Sequence, residues 1–404
     1  MIKSVVATSL TSAILLFSQS VPAQSEPTHW PDTLQQAKGQ TVYFNAWGGA
    51  DNINNYIQWA ADRIQDDYQV TLKHVKLTDT ADAVNRVLAE KAAGKDQQGS
   101  IDLIWINGEN FRAMKDNQLL FGPFSQSLPN YQNYVDENAR QSLTQDFGTP
   151  VEGMESPWGM AQVIFMYDTA NLSNPPKSMA QLLAHARANP GRITYPEPPQ
   201  FLGSTFLKQA LYELSPYRKA LAQPVDQVDF EKITAPLWTY LDQLHQVAWR
   251  SGQTFPSSSE EMMRLLDDQE IDIALSFDIS AASVQIDQGN LAETVRSYVF
   301  TGGTIGNTHF LAIPYNSSAT AGAQVVANFL LSPEAQIRKQ TPTVWGDLSV
   351  LAYHKLSSAD QQKFDDLPRG IATLTIEELG QTLPEPHSSW VGALETEWRK
   401  RYAN

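Results

Sequence analysis

The sequence predicts an α/β protein built as two lobes. Three near-continuous apolar runs early in the chain are each followed by a helical pattern, and a second set of such pairs follows Pro150. Strand and helix alternate at intervals of roughly 30 residues, as in βαβ units around a parallel sheet covered on both faces. With 404 residues, 42% apolar residues, ten tryptophans and 18% charge, the chain can fill two cores and lies far from disordered compositions.

The first run, TVYFNAW (41–47), ends in Trp47-Gly48-Gly49-Ala50-Asp51, from which a helix starts with Ile53, Tyr56, Ile57, Ala60 and Ile64 on one face. VTLKHV (70–75) precedes a helix carrying Val84, Val87 and Leu88, and IDLIWI (101–106) runs into Asn107-Gly108-Glu109-Asn110-Phe111. Beyond Pro150, AQVIFMYD (161–168) leads to NPPKSMAQLLAHA, a proline pair before a capped helix, then to RITYP (192–196) and helical FLGSTFLKQALYEL. SSSEEMMRLLDDQEIDIALSF (257–277) reads as an N-capped helix feeding a buried strand. The loop TGGTIGNT (301–308) precedes the strand HFLAIP (309–314). Ser332-Pro333-Glu334 supplies an N-cap, an N1 proline and a dipole-matched acid, and a helix over Trp390–Arg401 closes the chain.

Residues 1–23 read as a secretory signal peptide: one lysine, an apolar run from Val5 to Phe17, and small residues around Val21-Pro22-Ala23. That run is too short for a stable membrane anchor, and no later stretch reaches about 18 uninterrupted apolar residues. The expectation is therefore a soluble protein exported to the periplasm. Without cysteine it has neither disulfides nor a lipid-modified N-terminal cysteine. The formal charge of −15 moves to near −16 once Lys3 is removed. This speaks against nucleic acid or an anionic membrane as partner and weakly favours cationic ligands, although solubility is the plainer meaning of the same charge.

The seven histidines show no pair at metal spacing, and HExxH, CxxC, EF-hand, P-loop, GxGxxG and GxSxG patterns are all missing. No catalytic residue, metal or cofactor is expected. Asp267-Asp268 and Asp365-Asp366 read as solvated faces, with a glycosidase-type carboxylate pair left open because fold, not spacing, sets such pairs. In an open parallel sheet, ligands bind beyond the carboxyl ends of the strands. Three corners sit there: Trp47 to Asp51, Asn107 to Phe111, and Tyr195-Pro196-Glu197-Pro198 running into QFLGSTF, where Ser204 and Thr205 offer hydroxyls. Singly, each fits ordinary turn chemistry. Their recurrence at the same structural position in both lobes favours ligand binding.

Four segments carry a resemblance: IDLIWINGENF; SPWGMAQVIFMYDTANLSNPPKSMAQLLAHARANPGRITYPEPP; EMMRLLDDQEIDIALSFD; and HFLAIPYNSSATAGAQVVANFLLSPEAQ. In this order they resemble the bacterial extracellular solute-binding proteins of ABC importers (family 1 type), a group with maltose-, polyamine-, iron- and thiamine-binding members, and within it the Ynj-type periplasmic branch. The segments are moderately specific singly and strong together, and they cover about residues 40–345. Met179 stands where many relatives have tryptophan, and the lack of a late Tyr-Tyr pair gives little support for the iron-binding branch.

The resemblance implies a type II periplasmic-binding-protein fold, with a ligand cleft between lobes joined by hinge strands near 161–166, 273–278 and 308–313. Lobe 1 would comprise 24–162 plus 277–313, and lobe 2 would comprise 163–276 plus 314–404. It places Trp47, Gly48, Gly49, Asn107, Glu109, Trp158, Tyr195, Phe277, Asp278 and His309 at the cleft, with Trp345 and Asp347 as additions. The corner residues Asp51, Asn110 and Ser204 complete the expected ligand site. Such a wall suits an organic cation, thiamine- or polyamine-like, by cation–π contact and ion pairing, and a carbohydrate almost as well. The implied function is a monomeric periplasmic receptor, not an enzyme, that captures a small solute and delivers it to an inner-membrane ABC permease. A secreted polysaccharide-active hydrolase or lyase, and the ligand-binding module of a sensor, are the alternatives.

Overall fold

The computed structural model describes residues 29–403; the expected signal peptide lies outside them. The chain opens with α1 (Trp30–Ala37), β1 (Thr41–Trp47), α2 (Asp51–Tyr68), β2 (Thr71–Leu77), α3 (Ala81–Ala92), β3 (Leu103–Ile106), α4 (Gly108–Asp116) and α5 (Pro129–Tyr134). A hairpin of β4 (Gln145–Asp146) and β5 (Thr149–Pro150) precedes β6 (Glu155–Gln162) and β7 (Ile164–Asp168). Then come α6 (Met179–Ala188), α7 (Phe201–Leu214), α8 (Phe230–His245), α9 (Ser259–Asp267), β8 (Ala274–Ser276), α10 (Ala281–Asp287), β9 (Val295–Tyr298) and β10 (Thr304–Ala312). The remainder is α11 (Thr320–Leu330), α12 (Pro333–Gln340), α13 (Ser358–Asp365), α14 (Ile376–Leu379), β11 (Thr382–Leu383) and α15 (Ser389–Tyr402).

The first sheet runs β2-β1-β3-β10-β6, with β11 joining the start of β10. β1 is parallel to β2 and β3, while β10 is antiparallel to β3 and β6. β1 turns Val42, Phe44 and Ala46 to the interior, and α2 buries the stripe Ile53, Tyr56, Ile57, Ala60 and Ile64 read from its period. β3 starts two residues later than the apolar run suggests because Asp102 turns inward. Its carboxylate accepts the N–H groups of Tyr43 (3.0 Å), Ser318 (2.9 Å) and Ala319 (3.0 Å).

The second sheet, β8-β7-β9, is antiparallel. RITYP joins no ladder, but its backbone is held there: the Arg192 and Ile193 carbonyls accept from Asp272 and Trp249 N–H (both 2.8 Å). The chain passes from first sheet to second at Val163, between β6 and β7.

The assignment of segments to lobes needs correction on two counts. Residues 277–298 stay with the second core through Phe277, Ile279, Ala282, Val295 and Tyr298, since β9 pairs with β7; the return to the first sheet begins at β10. Residues 314–404 divide. α11 is buried along all but its first residue, and Val326, Phe329, Ala335 and Trp345 join the first core, whereas Leu379, Leu383, Trp390 and Trp398 join the second. Among the described residues no helix is long and apolar enough to cross a membrane.

Candidate functional site

At the end of β1 the Gly48 N–H donates to the Leu77 carbonyl (3.0 Å), and the Gly48 carbonyl accepts from Asn54 Nδ2 (3.1 Å). A Cβ on Gly48 would overlap the Lys76 stem, and one on Gly49 the Trp47 ring. The two glycines thus let an indole fold back over the corner. Exposed Asp51 lies in the first turn of α2, where the helix dipole favours an acid. At the end of β3, Asn107 stands at the N-cap of α4 and Gly108 adopts φ +60, a region that favours glycine. The Gly108 N–H donates to Asp146 Oδ2 (2.7 Å), which draws the β4–β5 hairpin onto the helix start beside Glu109 and Asn110.

Beneath these corners lies an aromatic cluster. The pairing of β6 with β10 shifts between His309 and Phe310, leaving Trp158 as the extra residue of a bulge, a device that re-aims a side chain. Trp158 then packs edge-on against Trp105 (4.9 Å) and Trp345 (5.1 Å), and His309 stacks on Trp345 (5.9 Å, 18°). His309 Nε2 stands 3.0 Å from Asp347 Oδ2, and Lys339 Nζ bonds the same oxygen. Burial alone would raise the Asp347 carboxyl, but His309 and Lys339 outweigh it and hold it low; burial lowers Lys339. Gly159 leaves the room: a Cβ there would overlap Asp347, His309 and Lys339. Ser280 Oγ, from the second lobe, donates to the Gly346 carbonyl (3.2 Å). Nearby, burial pushes the Asp278 carboxyl up to about 7, opposed by the Ser280 N–H (2.8 Å) and reinforced by Asp347.

A second group of charges spans the lobes. Phe201, 44% exposed, opens α7 edge-on to Phe277 (5.2 Å). Two turns on, buried Lys208 donates to Glu385 Oε2 (2.6 Å) and lies under Phe147 (4.9 Å), from the hairpin, and Phe201 (5.5 Å). Ser204 Oγ donates to Glu395 Oε1 (2.6 Å). Glu109 is exposed at the start of α4, with protein packed densely around its carboxyl. Burial raises its carboxyl, Lys208 draws it down, and Glu395 and Glu385 push it up. Burial also raises Glu395, against Ser204, Arg399 and Lys208, with Asp79 of the first lobe adding to the rise. Three carboxylates therefore share the Lys208 ammonium, with the Arg399 guanidinium also acting on Glu395. A recess of about 390 Å3 adjoins the α7 start, lined by Glu197, Pro198, Gln200, Ser257, Trp398 and Arg399 among others.

Of the residues expected from the sequence, Glu109 and Ser204 join the charge group that spans the lobes, with Asn107 and Asn110 beside Glu109 and Phe277 edge-on to Phe201, whereas Asp278 stands beside Ser280 and Asp347. Trp158, His309 and Trp345 are buried in the aromatic cluster, where they back the half-covered Trp105 and present little surface to a ligand. Trp47, Gly48, Gly49 and Asp51 are accounted for by corner packing and the helix dipole. Tyr195 is a correction. Fully buried in the second core, it stacks on Phe206 (4.4 Å), accepts from Trp398 Nε1 (2.8 Å) and meets His245 Nε2 at 2.7 Å. Phe201, Lys208, Glu385 and Glu395 were missed. Lys208 follows Ser204 by four residues on one helix face, a spacing that could have flagged it.

A family model of bacterial extracellular solute-binding proteins matches residues 59–352. Protein YnjB of Escherichia coli (strain K12) is 44% identical over 394 residues, covering 97% of this chain and 98% of the relative. A periplasmic thiamin binding protein superposes with a TM-score of 0.60 at 18% identity, covering 90% of this chain and 95% of that one. The periplasmic binding protein AfuA of Actinobacillus pleuropneumoniae, with fructose-6-phosphate bound, gives 0.61 at 13% identity, covering 90% and 98%. The type II periplasmic-binding-protein fold is thereby shown. A match across most of the chain, together with a full-length relative at this identity, places the protein in the bacterial extracellular solute-binding protein family.

Proposed function

We propose that the protein captures a small organic cation between its lobes and presents it to an inner-membrane ABC permease from the periplasm. One observation carries the reading. Glu109 and Glu395, from different lobes, are both raised, and the ammonium beside them is already paired with Glu385. A cationic ligand would pair with both carboxylates and draw the lobes together, which is how a solute biases a hinge equilibrium. Exposed Phe201, edge-on to Phe277, and half-covered Trp105 offer ring faces to a flat or elongated cation.

The protein acts as a monomeric receptor and does no chemistry on the solute. The thiamin-binding fold neighbour is consistent with this ligand class; the fructose-6-phosphate-bound neighbour is a reminder that the fold alone does not choose it. Calorimetric titration of refolded protein with thiamine, spermidine and fructose-6-phosphate tests the reading. Binding of a cation, weakened in Glu109→Gln and Glu395→Gln, supports it. Binding of the sugar phosphate alone, or cation affinity unchanged in both variants, refutes it.

A further inference from the structure

A further polar site lies under the start of α4. The hairpin sets Asp146 opposite Thr149, so both side chains leave the same face of the ribbon. Asp146 Oδ2 takes the Gly108 N–H, but Asp146 Oδ1, Thr149 Oγ1 and both oxygens of Glu155, at the start of β6, have no hydrogen-bond partner. The three residues are 1%, 8% and 0% exposed. Burial pushes both carboxyls well up; at Asp146 the Gly108 N–H opposes the rise and Glu109 and Glu385 add to it, and Asp146 adds to the rise at Glu155. Lys115, whose charge reaches Glu155, is already engaged by the Pro150 carbonyl and by Glu152 (2.9 Å).

Buried carboxylates persist when paired, protonated or bound to a metal ion. Here four buried oxygens, on two carboxyls and one hydroxyl, have no hydrogen-bond partner. The donors are all oxygen, from two carboxylates and a hydroxyl, a hard set that suits Ca2+ and not a thiolate- or imidazole-seeking metal. Mg2+ would retain its waters and demand strict octahedral geometry.

We infer that Asp146, Thr149 and Glu155 form a buried site for one hard divalent cation of the calcium class, which clamps the β4–β5 hairpin to the start of α4. The hairpin carries Phe147, which lies over Lys208, and α4 carries Glu109, so the ion would hold the first-lobe side of the cleft in position.

The test uses chelator-stripped full chain, with equilibrium dialysis against calcium and thermal melting with CaCl2 or MgCl2. Expected are one bound Ca2+ per chain and a rise of several degrees at about a hundredfold excess over the dissociation constant. Both should be lost in the near-isosteric Glu155→Gln. Thr149→Val, which removes one donor without removing charge, should weaken calcium binding without abolishing folding, and it serves if Glu155→Gln does not fold. Absence of bound Ca2+, or wild-type binding in Glu155→Gln or Thr149→Val, overturns the site. So does a calcium-indifferent chain whose melting temperature climbs as pH falls through neutrality, since the carboxyls would then be holding protons.

Discussion

Replacing Gly159 by alanine adds one methyl group at the point where β6, β10 and the loop after α12 converge. The new Cβ would overlap Asp347 Oδ2, His309 Nε2 and Lys339 Nζ. None of the three can swing into solvent: the side chains are 6%, 7% and 0% exposed. The backbone cannot retreat freely either, because Gly159 is in register with His309 on the neighbouring strand. Overpacking a well-filled core costs about 1–3 kcal/mol. If relief comes by separating Lys339 from Asp347, a buried charge is left uncompensated, at about 3–5 kcal/mol. The overlap is too deep for a shift of a few tenths of an ångström, so a loss of about 3–5 kcal/mol is expected. Urea unfolding followed by indole fluorescence reads it, since Trp105, Trp158 and Trp345 adjoin the substitution. Gly302→Ala, where a Cβ meets nothing within 4 Å, is the control. A loss below about 1 kcal/mol, or equal losses in both variants, would refute the packing argument.

Asp278→Asn should flatten the pH dependence of stability. A carboxyl raised from its usual value to about 7 keeps its proton in the folded chain while the unfolded chain has lost its own. Stability is therefore full below about pH 4 and falls as pH rises towards 7. Three pKa units bound the effect at about 4 kcal/mol, and partial solvent access at Asp278 reduces it to about half that in urea melts at pH 5 and pH 8. An unchanged pH gap in the variant would contradict this. Glu109→Gln and Glu395→Gln should each weaken a cationic solute by about 1.5–3 kcal/mol, tenfold or more, and combine non-additively if both grip one charge. Tyr195→Phe removes the hydroxyl shared by His245 and Trp398 and should cost about 1–3 kcal/mol of stability with unchanged solute affinity. Loss of affinity there would return Tyr195 to the cleft.

Local pattern accounts for what could be read beforehand. The stripe from Ile53 to Ile64 marked α2, and Ser332-Pro333 marked the start of α12, where Ser332 Oγ does accept the Ala335 N–H (3.1 Å). Long-range contacts account for the rest. Tyr195 looked like part of a turn corner because its partners come from 50 and 203 residues away. Glu395 meets Ser204 across 191 residues and Glu385 meets Lys208 across 177, so no local window relates them. The bulge that turns Trp158 inward depends on its register with His309, which the alternation of neither strand encodes. The lobe boundaries failed for a similar reason: α11 announces that it is buried but not against which sheet.

One experiment bears on the ligand class with the fewest assumptions. Protein unfolded and refolded to remove any carried solute is melted against organic cations, neutral sugars, sugar phosphates and metal ions, alone and as the Glu109→Gln/Glu395→Gln double variant. A ligand at about a hundred times its dissociation constant adds roughly 2.7 kcal/mol, a shift of several degrees. A rise confined to organic cations and absent in the double variant is the outcome expected from carboxylates converging from both lobes. A rise with sugars or sugar phosphates instead, or a cation response that survives the double substitution, would contradict it.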